Sequence, residues 1–258
     1  MIAKLFWTLL LHKIYLRFYE ELNDFLPEEK RKKRFAHQFI DRTSVKDLIE
    51  SLGIPHTEVD MILVNGKSVN FKYLINDGDD ISVYPVFESL DITDVQHLRA
   101  KPLRKPKFVA DVHLGRLTRY LRMIGLDVLY KNDFDDEEIV QLSLKEKRAI
   151  LTKDRGILKR NEVTHGYLVR NTKVEEQVME ILERFDLKNQ IKEFSRCLEC
   201  NDLLLQVEKA KIIQQLPPKV VKSKNEFYKC PSCKKIYWKA SHYQRMLTFI
   251  QLLKNIEH

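Results

Sequence analysis

The chain has 258 residues, 44% of them hydrophobic, with only 7 glycines and 8 prolines, which excludes a disordered chain and leaves room for two or three packed domains. No window approaches the roughly 18 uninterrupted apolar residues of a transmembrane helix, so we predict no membrane span. The net charge of +8 is uneven: residues 1–93 carry 12 Lys and Arg against 15 Asp and Glu, and residues 94–258 carry 33 against 22. The basic second part favours a polyanionic partner over a merely soluble surface.

The N-terminal domain is predicted over residues 13–93. Residues 14–18 and 35–40 indicate strands, Ser44 begins a helix that Gly53 ends, and residues 62–64 run into the hairpin turn Asn65-Gly66 before a last strand at 81–84. The apolar N-terminal residues fit an N-terminal extension, or a start codon assigned too early, better than a signal peptide, because they contain no small-residue cleavage site. We therefore predict a cytoplasmic protein.

The order strand, strand, helix, strand, strand, closed by Asp-Gly-Asp-Asp-Ile-Ser-Val-Tyr-Pro-Val at 77–86, resembles the β-grasp fold of ubiquitin-like sulfur carriers. Those carriers act through a C-terminal Gly-Gly, whereas this chain has Phe87-Glu88-Ser89 there and continues. We therefore predict a docking module with a protein partner. Residues 94–107, with Pro102, Pro106 and several Lys and Arg residues, are predicted as an exposed basic linker that can also hold nucleic acid.

The central domain, predicted over residues 108–190, sets a carboxylate after each of two apolar strands. Residues 108–110 run into Asp111, and residues 149–153 run into Asp154. Further strands at 127–130 and 167–170, alternating with helices, predict a doubly wound parallel α/β sheet with helices on both faces. Because such sheets bind ligands at the edge formed by the carboxyl ends of their strands, we expect the two carboxylates to converge.

An acidic cluster between those strands offers a third carboxylate; its members are Asp133, Asp135, Asp136, Glu137 and Glu138. Asp135 with Glu138 fits a helix cap, and we predict that Asp136 faces the sheet edge, with Asp133 as the next candidate. Gathered carboxylates repel one another unless cations neutralise them, and Mg²⁺ or Mn²⁺ prefers oxygen ligands. The pattern predicts metal-dependent hydrolysis of nucleic acid by an activated water.

Other enzyme classes lack their motifs, since neither glycine-rich phosphate loop nor the serine elbow GxSxG occurs. Basic residues surround the predicted edge instead. Arg116, Arg119 and Arg122 share one face of the helix after Asp111, which on spacing alone is an ordinary charged outer face. Because the first turn of that helix sits beside Asp111, Arg116 or Arg119 is also placed to reach a phosphate there.

The C-terminal part, residues 191–258, contains all four cysteines. Cys197 and Cys200 form one CxxC pair, and Cys230 and Cys233 form a second after 29 intervening residues. Two such pairs predict a structural zinc ribbon with four thiolate ligands, followed by a closing helix. Disulfides are the alternative interpretation, and a chain without secretory features makes it the weaker one. Tyr237 and Trp238 fit either the ribbon core or stacking on RNA bases.

These motifs together carry a family resemblance. The segment from Asp111 to Asp127, the pair Asp135-Asp136, the segment from Arg148 to Leu158, the two CxxC pairs and the sequence Trp-Lys-Ala-Ser-His-Tyr at 238–243 resemble the Mut-seven C-terminal RNase domain. That family belongs to the PIN-like nucleases and carries a zinc ribbon. The N-terminal part is similar to the ubiquitin-like domain often joined to it.

The resemblance implies a Mg²⁺- or Mn²⁺-dependent ribonuclease whose acidic site matches Asp111, Asp136 and Asp154, with Asn171 near the place of a fourth ligand. RNA is the implied substrate, and we predict that Arg119, Arg122, Lys153 and Arg155 hold its backbone. The alternative is a non-catalytic adaptor in which the same basic surface and ribbon bind RNA or a ribonucleoprotein.

Overall fold

The computed structural model describes residues 11–85, 106–240 and 243–255. The chain forms two compact units, Met1–Arg104 with Arg155–Gly166, and Lys105–Asp154 with Tyr167–His258. Residues 1–10, residues 86–105 with most of the predicted linker, and His242 lie outside the described residues. No helix in the described ranges has the length and apolar character needed to cross a bilayer. The domain bounds given above stay predictions.

The first unit is a mixed five-stranded sheet. Its strands are β1 (His12–Phe18), β2 (Phe35–Phe39), β3 (Val59–Val64), β4 (Lys67–Val69) and β5 (Asp80–Pro85), in the order β2-β1-β5-β3-β4. β1 pairs antiparallel with β2 and parallel with β5, whereas β3 pairs antiparallel with both β4 and β5. With one helix between β2 and β3, the predicted succession of elements is confirmed, and β4 completes the hairpin.

Local chemistry sets the ends of these elements. The hydroxyl oxygen of Ser44 accepts the N–H of Asp47 at 3.1 Å and so caps the helix α1 (Val45–Ser51). Gly53 follows with a φ of +91°, a conformation that suits a residue without Cβ. Asn65 and Gly66 have φ values of 50° and 79°, which is the left-handed turn that matches the twist of the two strands it joins.

The second unit contains the predicted parallel sheet, which is confirmed. β6 (Lys107–Ala110), β7 (Val128–Leu129), β8 (Arg148–Thr152) and β9 (Gly166–Leu168) lie in the order β7-β6-β8-β9, and β6 pairs parallel with β7 and β8. The chain leaves β6 toward one side and returns on the other side at β8. The space between the ends of β6 and β8 is therefore the switch point at which such sheets bind ligands.

Helix α2 (Gly115–Met123) connects β6 to β7, and α3 (Asp136–Glu146) connects β7 to β8 and packs against β6 and β8. Asp135 caps α3 in a capping box with Glu138, as predicted. A short α4 (Arg155–Leu158) precedes β9, and α5 (Val174–Arg184) follows it and packs beside α2. The inner strands β6 and β8 are buried on both faces, which explains their continuous apolar sequence.

Residues 155–166, which connect β8 to β9 in the sequence, belong to the first unit. The carbonyl oxygen of Val163 lies 2.8 Å from Nε2 of His56, and Nδ1 of His56 lies 2.7 Å from Glu50 Oε1. Lys159 Nζ donates to the carbonyl oxygen of Glu50 at 2.7 Å. Residues at the end of α1 and just after it thus hold the segment that follows Asp154.

The cysteine-containing part of the second unit is a three-stranded antiparallel sheet, β10 (Leu205–Val207), β11 (Phe227–Lys229) and β12 (Ile236–Tyr237), in that order. The long spacing between the CxxC pairs holds α6 (Pro218–Ser223) and an apolar cluster of Ile212, Leu216 and Phe227. The closing helix α7 (Tyr243–Asn255) follows and buries Ile250 and Leu253.

Candidate functional site

Asp111 is the first residue after β6 and is only 5% exposed, so its carboxylate needs partners. Oδ1 accepts the N–H of His113 at 2.7 Å, and Oδ2 accepts the N–H of Lys153 at 2.9 Å. The hydroxyl of Thr152 also donates to Oδ2. The imidazole Nδ1 of His113 also lies 3.4 Å from Oδ1, so both carboxylate oxygens of Asp111 have close polar neighbours.

Thr152 joins the carboxyl ends of β6 and β8. Its side chain is fully buried, its hydroxyl donates to Asp111, and its Oγ1 accepts the N–H of Asp154 at 2.8 Å. Ala110 pairs with Leu151, which puts Asp111 next to Thr152 at the strand ends. Asp154 is exposed at this edge. The structure therefore brings Asp111 and Asp154 to one edge and links them through a single hydroxyl.

The acidic cluster lies at the start of α3. Asp135 is the N-cap, and its carboxylate accepts the N–H of Glu138 at 2.8 Å, so it is engaged in holding the helix. Asp136 is the first residue of α3 and is exposed, and Asp133 is exposed in the preceding turn. Of the three candidates for the third carboxylate, Asp135 has the structural role.

The three predicted carboxylates do not form one ligand group in this structure. Among the described residues, the four cysteines are the one group of three or more His, Cys, Asp or Glu side chains placed to hold a metal ion. The oxygen donors of Asp111, Asp136 and Asp154 fit a hard cation in kind.

A cleft of about 430 Å³ opens beside Asp111. It is lined by His113, Arg116, Leu117, Lys153, Thr172, Lys173, Val174, Glu175 and Gln177. These residues come from the start of α2, the end of β8 and the N-terminus of α5. His113 and Lys153 both donate backbone N–H groups to Asp111, so the cleft adjoins the acidic edge.

The residues predicted to hold nucleic acid fall in different places. Lys153 lines the cleft, and its Nζ donates to the carbonyl oxygen of Asn171 at 3.1 Å. Arg119 is exposed and pairs with Glu199 at 3.3 Å. The guanidinium of Arg155 lies 5.3 Å from the ring centroid of Phe25, in the first unit.

Arg122 corrects the prediction made from the sequence. It is only 2% exposed, and its guanidinium donates to the carbonyl oxygens of Val128, Leu198 and Glu199 at 2.7–3.0 Å. A buried guanidinium that is bonded to three carbonyl oxygens is not placed to hold a phosphate. Arg122 instead joins α2 and β7 to the first CxxC pair.

Asn171, the predicted neighbour of a fourth ligand, is held by Glu180 of α5. Glu180 Oε2 accepts both the backbone N–H and the side-chain Nδ2 of Asn171 at 3.0 Å. Glu180 Oε1 accepts the N–H of Arg170 at 2.7 Å and the hydroxyl of Tyr167 at 2.9 Å. The acid near the end of β9 is therefore Glu180, which arrives from a helix rather than from the strand.

The predicted gathering of the four cysteines is confirmed. Their sulfur atoms all lie within 4.8 Å of one another, with 3.5 Å between Cys197 and Cys233 and 3.3 Å between Cys200 and Cys230. These distances are too long for disulfides, whose sulfurs are about 2.05 Å apart. Sulfurs about 2.3 Å from a tetrahedral zinc ion lie somewhat under 4 Å apart, so the set fits zinc.

The two CxxC pairs form matching turns. Asn201 and Lys234 each follow the second cysteine of a pair and have φ values of 73° and 63°. Their N–H groups donate to the carbonyl oxygens of Cys197 and Cys230 at 3.0 and 3.1 Å. Each pair thus folds into a compact turn that points both sulfurs to one side.

Tyr237 and Trp238 belong to the ribbon itself. The hydroxyl of Tyr237 lies 3.2 Å from Cys197 Sγ and accepts the N–H of Leu198 at 3.1 Å. Burial opposes ionisation, but hydrogen bonds from Tyr237 and from the backbone lower the pKa of Cys197 to about 7. Trp238 packs against Phe227 in the apolar cluster. This arrangement supports the core interpretation over base stacking.

The comparisons with known proteins agree with this architecture. The Mut7-C RNAse domain model matches residues 106–250, more than half of the chain, and the Mut7-C ubiquitin model matches residues 11–91. The chain belongs to the Mut7-C RNAse domain family. No curated protein and no solved structure matches it.

In this Mut7-C RNAse domain a buried polar network joins the cysteine turns to the parallel sheet. Asp127 Oδ1 accepts from Arg148 at 2.7 Å and from Asn201 Nδ2 at 2.8 Å, and Arg196 lies 3.4 Å from Oδ2. Burial raises the pKa of Asp127, but these donors outweigh it and hold the pKa below its usual range. The carboxylate is therefore charged and structural.

Sequence patterns had not singled out Thr152, Gln177 or Glu180 in the Mut7-C RNAse domain. In the sequence Thr152 has the pattern of an ordinary strand residue. Gln177 and Glu180 have the pattern of polar positions on an amphipathic helix. The one available signal was the place of Thr152, two residues before an acidic residue at a strand end. Its role depends on the pairing of β8 with β6.

Proposed function

We propose that the chain is a divalent-metal-dependent ribonuclease that hydrolyses RNA phosphodiester bonds at the edge carrying Asp111, Asp136 and Asp154. The observation that carries this proposal is the pair of acidic residues at the switch point of a parallel sheet, where the hydroxyl of buried Thr152 bonds both the Asp111 carboxylate and the backbone N–H of Asp154. The RNAse family model over residues 106–250 supports the same chemistry. The PIN-like character of the sheet is part of this proposal.

In the proposed site Asp111 is the fixed ligand, because neighbouring donors already orient its carboxylate. Asp154 and Asp136 are exposed and supply the other oxygen donors. A bound Mg²⁺ or Mn²⁺ would supply Lewis-acid activation of water and of the phosphate oxygens. Lys153, beside Asp111, and Arg119 hold the RNA backbone in this proposal. Arg155 stays a predicted contact to the RNA backbone, whereas buried Arg122 is not part of the proposed site.

Zinc bound by the four cysteines is proposed to be structural, since four thiolates leave no open coordination position. A zinc site of four thiolates needs reduced cysteines, which suits the predicted cytoplasmic location. A protein partner for the ubiquitin-like domain stays a prediction.

The second candidate function is an RNA-binding adaptor without catalysis. It is favoured by one observation, the absence of a group of three acidic ligands among the described residues. In that case the basic cleft and the ribbon bind RNA. The Asp111 carboxylate then only accepts hydrogen bonds from His113, Thr152 and Lys153.

End-labelled single-stranded and structured RNA would be incubated with wild type and Asp154→Asn, with Mg²⁺, Mn²⁺ or neither. A chelator is left out because it also removes thiolate-bound zinc. We expect metal-dependent cleavage by wild type and a loss of at least about 100-fold in the variant, as for an electrostatic group acting in the transition state. RNA binding without cleavage under any metal would overturn the nuclease and support the adaptor.

A further inference from the structure

The chain passes from the second unit to the first directly after Asp154. Residues 155–166 belong to the first unit, whereas Asp154 and Tyr167, on either side of them, belong to the second. The N–H of Asp154 donates to Thr152 Oγ1 at 2.8 Å, which fixes the residue on one side. On the other side its backbone continues into α4. Whatever holds residues 155–166 therefore also restricts the position of Asp154.

His56, a buried histidine of the first unit, holds the segment at Val163. It is only 7% exposed, and its Nε2 lies 2.8 Å from the carbonyl oxygen of fully buried Val163. Because a carbonyl oxygen only accepts, Nε2 carries the hydrogen and donates it. Nδ1 lies 2.7 Å from Glu50 Oε1, so Glu50 fixes the orientation of the ring. Both ring nitrogens are thus engaged in holding a residue far away in the sequence.

Two lysines attach the middle of the segment to α1. Lys159 Nζ donates to the carbonyl oxygen of Glu50 at 2.7 Å and so places a cation at the last turn of the helix, where the helix dipole favours it. In the opposite direction, Lys46 Nζ donates to Asn161 Oδ1. Glu50 therefore contacts the segment twice, through its carbonyl oxygen and, by way of His56, through its carboxylate.

The first residue of the segment is held as well. Arg155 follows Asp154 directly, and its guanidinium lies 5.3 Å from the ring centroid of Phe25, within the range of a cation–π contact. A Cβ at Gly53 would lie 3.4 Å from Arg155 Nη1, so the turn after α1 passes close to the same guanidinium. The attachment of the segment to the first unit thus begins at the residue next to Asp154.

Asp154 is an exposed residue at a strand end, and connecting segments at such places are commonly mobile. A metal ligand, in contrast, has to be held in one place by the groups around it. Resting on the proposed function, we propose that His56 and Lys159 are positioning residues for Asp154. Both act together with Glu50, and through them the first unit supports the acidic edge in addition to the docking role predicted for it.

Hydrogen exchange of the full-length protein, followed by mass spectrometry with residue-level resolution and without added Mg²⁺ or Mn²⁺, would measure this support. Lys159→Met removes the donor to the Glu50 carbonyl oxygen. His56→Phe keeps an aromatic ring but removes both ring nitrogens, and if this variant does not fold, Lys159→Met gives the test alone. Lys72→Met, at an exposed position between β4 and β5, removes the same charge as Lys159→Met and is the matched control.

The amides of residues 153–163 are expected to exchange on the order of 5-fold to 10-fold faster in both variants, as for the loss of one hydrogen bond that holds a local unit. The increase has to include Lys153 and Asp154, whose N–H groups donate to Asp111 and Thr152. Strands β6 and β8 and the control should match wild type. Faster exchange confined to residues 155–163, or an equal increase in β6 and β8, would overturn the positioning role.

RNA cleavage gives a second readout. Because a displaced ligand binds a cation less tightly, Lys159→Met is expected to raise the Mn²⁺ concentration for half-maximal cleavage by about 10-fold, with an unchanged KM for RNA. A smaller folded fraction would lower the rate without moving that concentration. An unchanged Mn²⁺ requirement in an active Lys159→Met protein would overturn the positioning role and keep the nuclease. A wild type that does not cleave but shows the expected exchange pattern removes the nuclease and keeps the support of Asp154.

Discussion

The cysteine site and the acidic edge lie in the same unit, yet the structure forms one ligand group and not the other. Each cysteine turn brings two ligands from four consecutive residues, so its own hydrogen bonds set the geometry. Asp111, Asp136 and Asp154 come from two strand ends and a helix start, so their separation depends on how those elements pack. Ligands close together in sequence assemble locally, whereas dispersed ligands depend on the sheet and on what they bind.

The largest effect is expected at the cysteine site, whose ligands assemble locally. Cys230→Ser should abolish zinc binding and unfold the ribbon, because structural zinc contributes about 10–16 kcal/mol of apparent binding free energy in small zinc domains. Zinc content by mass spectrometry and thermal unfolding by circular dichroism would measure both. Ser232→Ala in the same turn is the control, and it should keep the zinc. A folded Cys230→Ser protein without zinc would contradict the structural role.

Arg122→Met tests how the two regions are joined. It leaves three carbonyl oxygens without their donor, that of buried Val128 and those of the less buried Leu198 and Glu199. Because an unsatisfied buried acceptor costs about 1–3 kcal/mol, we expect the free energy of unfolding to fall by about 3 kcal/mol. Urea denaturation would measure it. Arg119→Met on the same helix, which loses only an exposed ion pair, should cost about 0–1 kcal/mol. Equal losses in both variants would show that the buried network does not carry the connection.

Thr152→Val tests the hydrogen bonds that join Asp111 and Asp154 at the acidic edge. The nearly isosteric change removes the donor to Asp111 and the acceptor for the Asp154 N–H, so we expect a loss of about 1–3 kcal/mol in stability. We also expect a larger loss in kcat than in RNA affinity. Thr152→Ser retains the hydroxyl, so this variant should keep much of the activity that Thr152→Val loses. Equal activity in the Val and Ser variants would remove the bridging role.

The smallest effect is the pH dependence conferred by Asp127. Its folded-state pKa lies below the unfolded value, so its contribution to stability is present above the unfolded pKa of about 4 and is lost as the pH falls through the lower folded pKa. Unfolding free energies of wild type and Asp127→Asn, measured from pH 6 to 2, should converge at the acid end. A difference that stays constant down to pH 2 would show that Asp127 does not titrate differently on folding.

The sequence predicted whatever depends on neighbours in the chain. The Ser44 and Asp135 caps, the Asn65-Gly66 turn and the strand that ends at Asp111 follow from local propensity and periodicity, and the structure agrees with each. The prediction from sequence was wrong for Arg122, because a charged residue on a helix face has the same spacing whether that face meets water or another part of the fold. Only the docking of the cysteine turns against α2 decides that Arg122 is buried.

By itself the sequence determined the elements, the two CxxC pairs and the position of a carboxylate after each inner strand, because these features are set by contacts within a few residues. The tertiary structure decided that Thr152 bridges Asp111 and Asp154, that Glu180 holds the end of β9, and that Gln177 meets a cationic cleft. Each of these arrangements needs residues far apart in sequence. Strand pairing and helix packing bring such residues together, and the burial of apolar surface sets both.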